Sequence, residues 1–305
     1  VIIKMVFSRS FYMKQIWVIA ILFLCSCQVF DRPEKIPSFI HIDHFDFSIT
    51  HSSQGSSSNK ITDAWVYMDG NLEGVYELPS TIPLHYEGNH RLKIYPGIKQ
   101  NGIAGDRTKY DFYKAYELDI TLFPDSIIPV HPSTEYEDQL FFWIENFEDP
   151  QSRFTTYTIS DTSLEITNQP QEILFDGSNI GEISLNSSQE VFEMRTDELD
   201  FNQFPKNINI PAYIEMNYAN NYPFTVGILH KDDFLPYMRQ PLITLTPTHY
   251  SQDSVVWNKT YLYIPDATNF YPSATSFDLY ISILNSDYSD DIKVRLDNIK
   301  VIFRQ

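Results

Sequence analysis

The chain has 305 residues, of which 40 are acidic and 22 are basic, so its formal net charge is −18 at pH 7. A field of this sign repels phosphate groups, which excludes nucleic acid as a partner. Aromatic residues make up 15 % of the chain and there are 18 prolines. Short alternating runs rich in β-branched and aromatic residues recur between turn residues, and this pattern predicts an all-β protein built from β-sandwiches.

The N-terminal segment, residues 1–26, has the layout of a secretory signal. A short polar start with one charge, Lys14, precedes ten apolar residues that end at Cys25. The run is too short to cross a bilayer, which needs about 20 apolar residues. Residues 1–12 add nothing that a signal needs, so we expect Met13 to be the true start.

The end of this segment reads Leu24-Cys25-Ser26-Cys27 and resembles the bacterial lipobox. The resemblance implies that Cys27 is acylated and becomes the first residue of the mature chain. Residues 27–38 would then be a lipidated tether, and the protein an outer-membrane lipoprotein on the periplasmic or cell-surface face, in contact with the membrane through its lipid. An ordinary signal peptide with two incidental thiols is the other interpretation. More loosely, the chain resembles envelope lipoproteins of Bacteroidota.

Residues 39–124 are expected to form the first domain. Its clearest local pattern is a hairpin in which Asp69-Gly70-Asn71 supplies the positive φ angles of a tight turn. The surrounding segment resembles the small PEGA-like β-domains. The residues that carry this resemblance are Asp69-Gly70, Gly74, Pro83, Gly88-Asn89-His90 and Pro96-Gly97. It implies a PEGA-like or immunoglobulin-like sandwich that serves as a spacer or protein-contact module.

A proline-containing segment, residues 125–135, is predicted to be a linker, and residues 136–305 the second domain. The second domain resembles the jelly-roll carbohydrate-binding modules, in which the first and last strands pair side by side. Two short motifs carry this resemblance, Phe147-Glu148-Asp149 and Leu296-Asp297-Asn298-Ile299.

The same resemblance implies a structural Ca²⁺ site, because acids near the start of the first strand and in the last strand supply oxygen ligands in such modules. Glu148, Asp149 and Asp297 occupy the matching places, and hard cations prefer oxygen ligands. Alternatively, Asp149 makes a turn with Pro150 and Asp297 caps a strand end. No other cofactor is required.

A candidate ligand platform lies in the run VVWNKTYLYIP. Trp257, Tyr261 and Tyr263 fall on one face of a predicted strand and present aromatic rings on which a sugar can stack. The other interpretation is that this aromatic face is core. Three tyrosines in proline-rich loops are rival candidates, namely Tyr237, Tyr250 and Tyr271.

The motifs of metalloproteases, serine hydrolases, P-loop enzymes and dinucleotide-binding enzymes are absent from the sequence. The sequence therefore predicts that the protein is not an enzyme. It predicts a lipid-anchored cell-envelope protein that acts as a non-catalytic binding module for a glycan or another envelope protein. A structural subunit of an envelope assembly without a small ligand is the alternative. A glycan-active hydrolase comes third.

Overall fold

The computed structural model describes residues 36–171, 173–196, 210–232, 237–249 and 255–304. The signal segment, Met13, Cys27 and most of the tether lie outside the described residues. Within the described ranges, none of the helices has the length and apolar character needed to cross a membrane.

The first domain is a sandwich of short strands. Its strands are β1 (Ser38–Ile42), β2 (Asp46–Ser48), β3 (Asp63–Met68), β4 (Asn71–Glu77), β5 (Ser80–Leu84), β6 (Gly88–Lys99), β7 (Arg107–Lys109), β8 (Tyr116–Leu122), β9 (Ile127–Val130) and β10 (Ser133–Glu135). One sheet has the order β5-β1-β9, and the other has the order β4-β3-β6-β7 with β8 also on β6. Alternate residues of β3, such as Val66 and Met68, point into the core between the sheets, as the period of two in a half-buried strand requires.

The hairpin between β3 and β4 has the predicted turn. Asp69 and Gly70 both have positive φ angles, 50° and 84°, and Met68 pairs with Asn71 across the two-residue loop. Two successive positive φ angles define the type I′ turn, whose twist matches that of the flanking strands. The predicted position of the turn is therefore confirmed.

The predicted linker at 125–135 is wrong, because most of it is strand. β9 pairs in parallel with β1, and β10 pairs in parallel with β2. Pro129 is tolerated because β9 lies at the edge of its sheet. No strand lies on its outer side, so the sheet does not need the N–H that proline lacks there. The chain thus leaves the first domain only after completing two of its sheets.

The second domain is a two-sheet sandwich. Its elements are β11 (Leu140–Glu145), β12 (Phe154–Thr156), β13 (Leu164–Asn168), β14 (Asn179–Leu185), β15 (Val191–Thr196), β16 (Ala212–Asn220), β17 (Phe224–Lys231), β18 (Met238–Leu245), β19 (Asn258–Tyr263), helix α1 (Pro265–Phe270), β20 (Ser276–Leu284) and β21 (Ile292–Arg304). One sheet has the order β13-β14-β21-β16-β19 with β11 also on β21, and the other has the order β12-β15-β20-β17-β18. The predicted pairing of the first and last strands is confirmed by the antiparallel β11–β21 ladder, in which Trp143 faces Val301.

The two domains share a third buried cluster, which we call the junction cluster. It consists of Ile98, Tyr110, Phe112, Tyr113, Tyr136, Tyr213, Tyr261 and Ile302. The backbone also crosses the junction, since Gln100 forms a β-bridge with Tyr261 and the Asn101 N–H donates to the Tyr261 carbonyl at 2.8 Å. The first domain therefore covers one outer sheet face of the second.

Candidate functional site

The predicted aromatic platform is covered by the first domain. Tyr261 is 1 % exposed. Its hydroxyl accepts a hydrogen bond from the Lys60 N–H at 2.8 Å and lies 3.3 Å from the Tyr113 hydroxyl. Burial raises the pKa of Tyr261 above its ordinary value. The prediction that Tyr261 contacts a ligand is wrong, because the ring is part of the core that joins the domains.

The other two platform residues are separated from each other. The Trp257 indole N–H donates to the Ile173 carbonyl at 2.9 Å, and its ring lies 5.3 Å from that of Phe175. Tyr263 is half-buried and lines a different cleft, described below. The three residues therefore do not form one binding surface.

A buried charge network lies beneath the same junction. Glu215 is fully buried and accepts hydrogen bonds from the hydroxyls of Tyr110 at 2.7 Å and Tyr136 at 3.0 Å, while the Lys259 ammonium lies 2.7 Å away. Burial by itself raises the pKa of Glu215, but the positive charges of Lys259 and Lys300 leave it below its ordinary value. This network holds the domains together and has no access to a ligand.

The predicted metal residues are brought together in part. Glu148 and Asp297 both line a cleft of about 240 Å³, whose further residues are Ile49, Ser52, Gly55, Ser56, Asn146, Asp176, Gly177 and Asn298. Asp149 is exposed and is not among the lining residues. The acidic residues that line the cleft are therefore Glu148, Asp176 and Asp297, so that Asp176 takes the place predicted for Asp149.

Asp297 is 1 % exposed, and its Oδ1 accepts a hydrogen bond from the Asn298 N–H at 2.7 Å. Its Oδ2 is buried and has no hydrogen-bond partner among the described residues. The pKa of Asp297 is raised to about 8, chiefly by burial, while the negative charges of Asp176 and Glu148 act in the same direction. A buried carboxylate oxygen without a donor is costly, and a cation in the cleft would remove that cost.

Glu148 is partly engaged elsewhere, since its Oε1 accepts hydrogen bonds from the N–H groups of Ser178 at 2.7 Å and Asn179 at 3.0 Å. Across the described ranges no group of three or more His, Cys, Asp or Glu side chains is arranged to hold a metal ion. A cation here would need amide, hydroxyl, carbonyl or water oxygens beside the carboxylates. Ca²⁺ accepts such mixed oxygen sets.

A cluster of charged and aromatic side chains that was not predicted as a platform lies on the outer face of the β12-β15-β20-β17-β18 sheet. We call it the arginine–tyrosine face. It comprises Tyr157, Glu193, Arg195, Tyr237, Arg239 and Tyr280. Tyr157 directly follows β12, Tyr237 directly precedes β18, and Arg195 faces Tyr280 across the β15–β20 ladder.

Arg195 lies between two aromatic rings on this face. Its guanidinium carbon is 5.0 Å from the ring centroid of Tyr157 and 5.0 Å from that of Tyr237. Contacts of this kind orient a guanidinium. Its N–H donors, which lie in the plane of the guanidinium, remain free to bond elsewhere. Tyr237 is 37 % exposed, so a ring remains accessible beside the cation.

Arg239 is held in place by Glu193 through two parallel bonds. Its Nε lies 2.6 Å from Glu193 Oε2 and its Nη2 lies 2.9 Å from Oε1. Glu193 is buried, whereas the Arg239 side chain is 44 % exposed. Forked arginine–carboxylate pairs of this type fix both planes, so the exposed edge of Arg239 has a defined direction.

A sequence signal for this face existed in the strand VFEMRT. Glu193 and Arg195 alternate there with the buried Phe192 and Met194, which places two charges on one outer face. Tyr237, one of the rival candidates, does belong to the face. Tyr271 instead stacks on His230 at 3.5 Å between ring centroids and donates to Gln240 Oε1 at 2.9 Å. Tyr250 lies outside the described residues.

A second cleft of about 390 Å³ opens beside helix α1. It is lined by Asn101, Gln240, Pro241, Leu242, Tyr263, Asp266, Ala267 and Phe270. Phe270 is 75 % exposed. The cleft combines two aromatic rings with amide groups, but it contains no pair of oriented charges such as Arg239 and Glu193.

No protein-family model matches the chain, and no curated protein matches it. Among solved structures, the chain is similar to the C-terminal family 22 carbohydrate-binding module of Clostridium thermocellum Xyn10B, with 12 % identity and a TM-score of 0.37 over 55 % of this chain and 97 % of that one. It is also similar to the K1 cleaved adhesin domain of Lys-gingipain from Porphyromonas gingivalis W83, with 13 % identity and a TM-score of 0.37 over 53 % of this chain and 97 % of that one. The fold assignment above rests on the strand order, and any ligand has to be inferred from the side chains.

Proposed function

We propose that this protein is a lipid-anchored cell-envelope protein that binds a glycan without catalysis, and that the arginine–tyrosine face of the second domain is the binding site. The observation that carries the proposal is the position of Arg195 between the rings of Tyr157 and Tyr237, next to the Glu193–Arg239 pair.

The chemistry of this face suits a sugar. The C–H faces of a pyranose are apolar and pack on accessible aromatic rings, whereas its hydroxyl or carboxylate groups need donors fixed in direction. Tyr237 offers the ring, and Arg195 and Arg239 offer the donors. Binding sites commonly combine an apolar surface with a few oriented polar groups in this way.

The arrangement also supports binding without catalysis. A glycosidase needs two carboxyl groups that face each other across the scissile bond, one of them able to give up a proton. The carboxylate of this face, Glu193, has both oxygens bonded to Arg239. Because both oxygens are occupied in this way, the role of Glu193 is to orient the arginine.

Two further parts of the proposal come from the sequence. Cys27 is acylated and anchors the protein to the outer membrane, on its periplasmic or cell-surface face. A structural Ca²⁺ is bound by Glu148 and Asp297 with Asp176, rather than with Asp149. The unpartnered Oδ2 of Asp297 supports the second of these statements.

Isothermal titration with a panel of neutral and uronate-containing polysaccharides tests the binding function. We expect at least one glycan to bind, and Arg195→Ala and Tyr237→Ala each to weaken its affinity about tenfold or more, as truncation of an anchoring residue does. Arg91→Ala is the matched control, since Arg91 lies in an exposed ion pair of the first domain, and its affinity should equal that of the wild type.

The proposal fails if no glycan of the panel binds, or if a bound glycan is indifferent to both face variants. Capture of another envelope protein by the same face, with no glycan able to compete, would instead favour the alternative function predicted from the sequence. Release of reducing ends from a bound polysaccharide would contradict the non-catalytic part.

A further inference from the structure

Three large apolar side chains are exposed at the end of the first domain where the tether enters it. Ile36 is 62 % exposed, Phe123 59 % and Ile127 64 %. We call these three residues the tether patch. Isolated exposed apolar residues are common on protein surfaces, so the question is whether these three are neighbours.

Backbone hydrogen bonds place them next to one another. The Asp125 N–H donates to the Pro37 carbonyl at 2.9 Å, and the Phe39 N–H donates to the Ser126 carbonyl at 2.8 Å. These bonds fasten the turn that begins at Phe123 to the chain that follows Ile36. Ile127 then continues from this turn opposite Phe39 in the β1–β9 ladder. The backbones of the three exposed residues therefore lie close together at one end of the domain, where the tether enters.

The tether limits how far this point can be from a lipid anchor. Eight residues separate Cys27 from Ile36, and an extended chain spans at most about 3.6 Å per residue. The patch therefore stays within about 30 Å of an acyl chain on Cys27. At such an enforced distance, even a weak apolar contact with the bilayer is populated, because the local concentration of lipid surface is high.

We propose that the tether patch inserts into the boundary between headgroups and acyl chains of the membrane, so that the first domain rests on the bilayer with this end down. The inference rests on the lipid anchor of the proposed function. Side chains such as Phe and Ile bind this boundary in proportion to the apolar area they bury. Two exposed acids lie near this end, because Asp125 bonds to Pro37 and Glu87 precedes Gly88, which pairs with Leu122. We therefore expect zwitterionic lipid to be preferred over anionic lipid.

Site-specific fluorescence on the full-length acylated protein tests the insertion. In the mature chain the thiol of Cys27 is blocked by lipid, so Phe123→Cys introduces a single free thiol for an environment-sensitive label. The protein is loaded into phosphatidylcholine vesicles that contain a quencher attached to the acyl chains. We expect a blue-shifted emission and quenching at position 123 about threefold stronger than at a solvent-exposed site, decreasing when phosphatidylserine is added.

Leu284→Cys provides the matched control, because Leu284 is also a large apolar residue, 66 % exposed, but lies in the second domain. Its label should keep a solvent-like emission on the same vesicles. Ile127→Cys should behave like Phe123→Cys, which guards against a local effect of one substitution.

The outcomes separate the patch from the anchor. Equal quenching at 123 and 284 in protein that sediments with the vesicles overturns the patch and leaves the lipid anchor standing. Protein that fails to load into the vesicles overturns both. A blue shift at 123 that grows with protein concentration in the absence of lipid identifies a second copy of the chain as the occupant and also overturns the proposal.

Discussion

Asp297 shows how one buried carboxyl group links stability to a ligand. Its Oδ1 is satisfied by the Asn298 N–H, whereas Oδ2 is buried without a partner among the described residues. The folded protein compensates by holding the proton, and burial raises the pKa of Asp297 from its ordinary 3.8 to about 8. Keeping a carboxyl group protonated at neutral pH costs free energy, since the unfolded chain would release that proton.

The pH dependence follows from the direction of this shift. Because the folded-state pKa is raised, the contribution of Asp297 to stability is complete below its ordinary pKa of 3.8 and is lost as the pH rises through about 8. We expect Asp297→Asn to stabilise the metal-free protein at pH 7.5 by about 1–3 kcal/mol, because the neutral amide folds without taking up a proton. Thermal unfolding between pH 4 and 8 measures this, with the exposed Asp149→Asn as a control that should match the wild type.

Calcium should reverse the order of stability of the wild type and Asp297→Asn. A cation bound only to the folded state stabilises it by RT ln(1 + c/Kd), where c is the free cation concentration, so the unfolding temperature rises with the logarithm of that concentration above the dissociation constant. We expect millimolar Ca²⁺ to stabilise the wild type and Asp149→Asn but not Asp297→Asn. Equal effects of Ca²⁺ on all three proteins would remove Asp297 from the proposed site.

The β3–β4 hairpin is the element whose conformation is most directly encoded. Gly70 has a φ of 84°, and a Cβ added to it would meet no atom within 4 Å. Any cost of a side chain there is therefore conformational strain and not a clash. Val66 and Met68 on the adjoining strand are core residues, so a change in the turn register would move them out of the core.

Gly70→Val should lower the free energy of unfolding by roughly 1–3 kcal/mol, the cost of forcing a β-branched residue into the left-handed region. Gly105→Val is a matched control, because Gly105 has no positive φ and is equally open. Urea denaturation of the whole protein compares the two. Equal stabilities would mean that the turn relaxes to another type at little cost.

At the scale of the molecule, the junction cluster joins the two domains through side chains from both. Tyr110 and Tyr136 reach from the first domain and the connecting segment to Glu215 on β16, which Lys259 on β19 neutralises. Asn217 of the same sheet donates to Ser58 Oγ at 2.8 Å. The domains are therefore expected to unfold together, not as independent sandwiches joined by a linker.

Glu215→Ala should destabilise the protein by about 3–5 kcal/mol, because it leaves the Lys259 ammonium buried without its counter-charge. The loss should appear in a single transition seen equally by circular dichroism and by tryptophan fluorescence, which reports Trp65 in the first domain and Trp143 and Trp257 in the second. Glu117→Gln is the control, since Glu117 belongs to an exposed ion pair, and such pairs contribute little. Two separated transitions in the wild type would contradict the joint core.

The sequence by itself determined the features that depend on neighbouring residues. Alternation within short runs predicted the β-sandwiches, and Asp69-Gly70-Asn71 located a turn to the residue, because turn conformation is decided by the φ preferences of two or three residues. The pairing of the first and last strands of the second domain was also predicted, but through a family resemblance and not through the pattern itself.

Only the tertiary structure decided what depends on distant segments. Residues 127–135 look like a linker because prolines interrupt them, yet β1 and β2 provide partners from the other end of the domain. Tyr261 has the pattern of an exposed platform residue, but whether a sheet face meets solvent or another domain is set by packing, which alternation does not encode. The arginine–tyrosine face depends in the same way on register, since Tyr157, Arg195 and Tyr237 come from three separate segments and become neighbours only when the sheet forms.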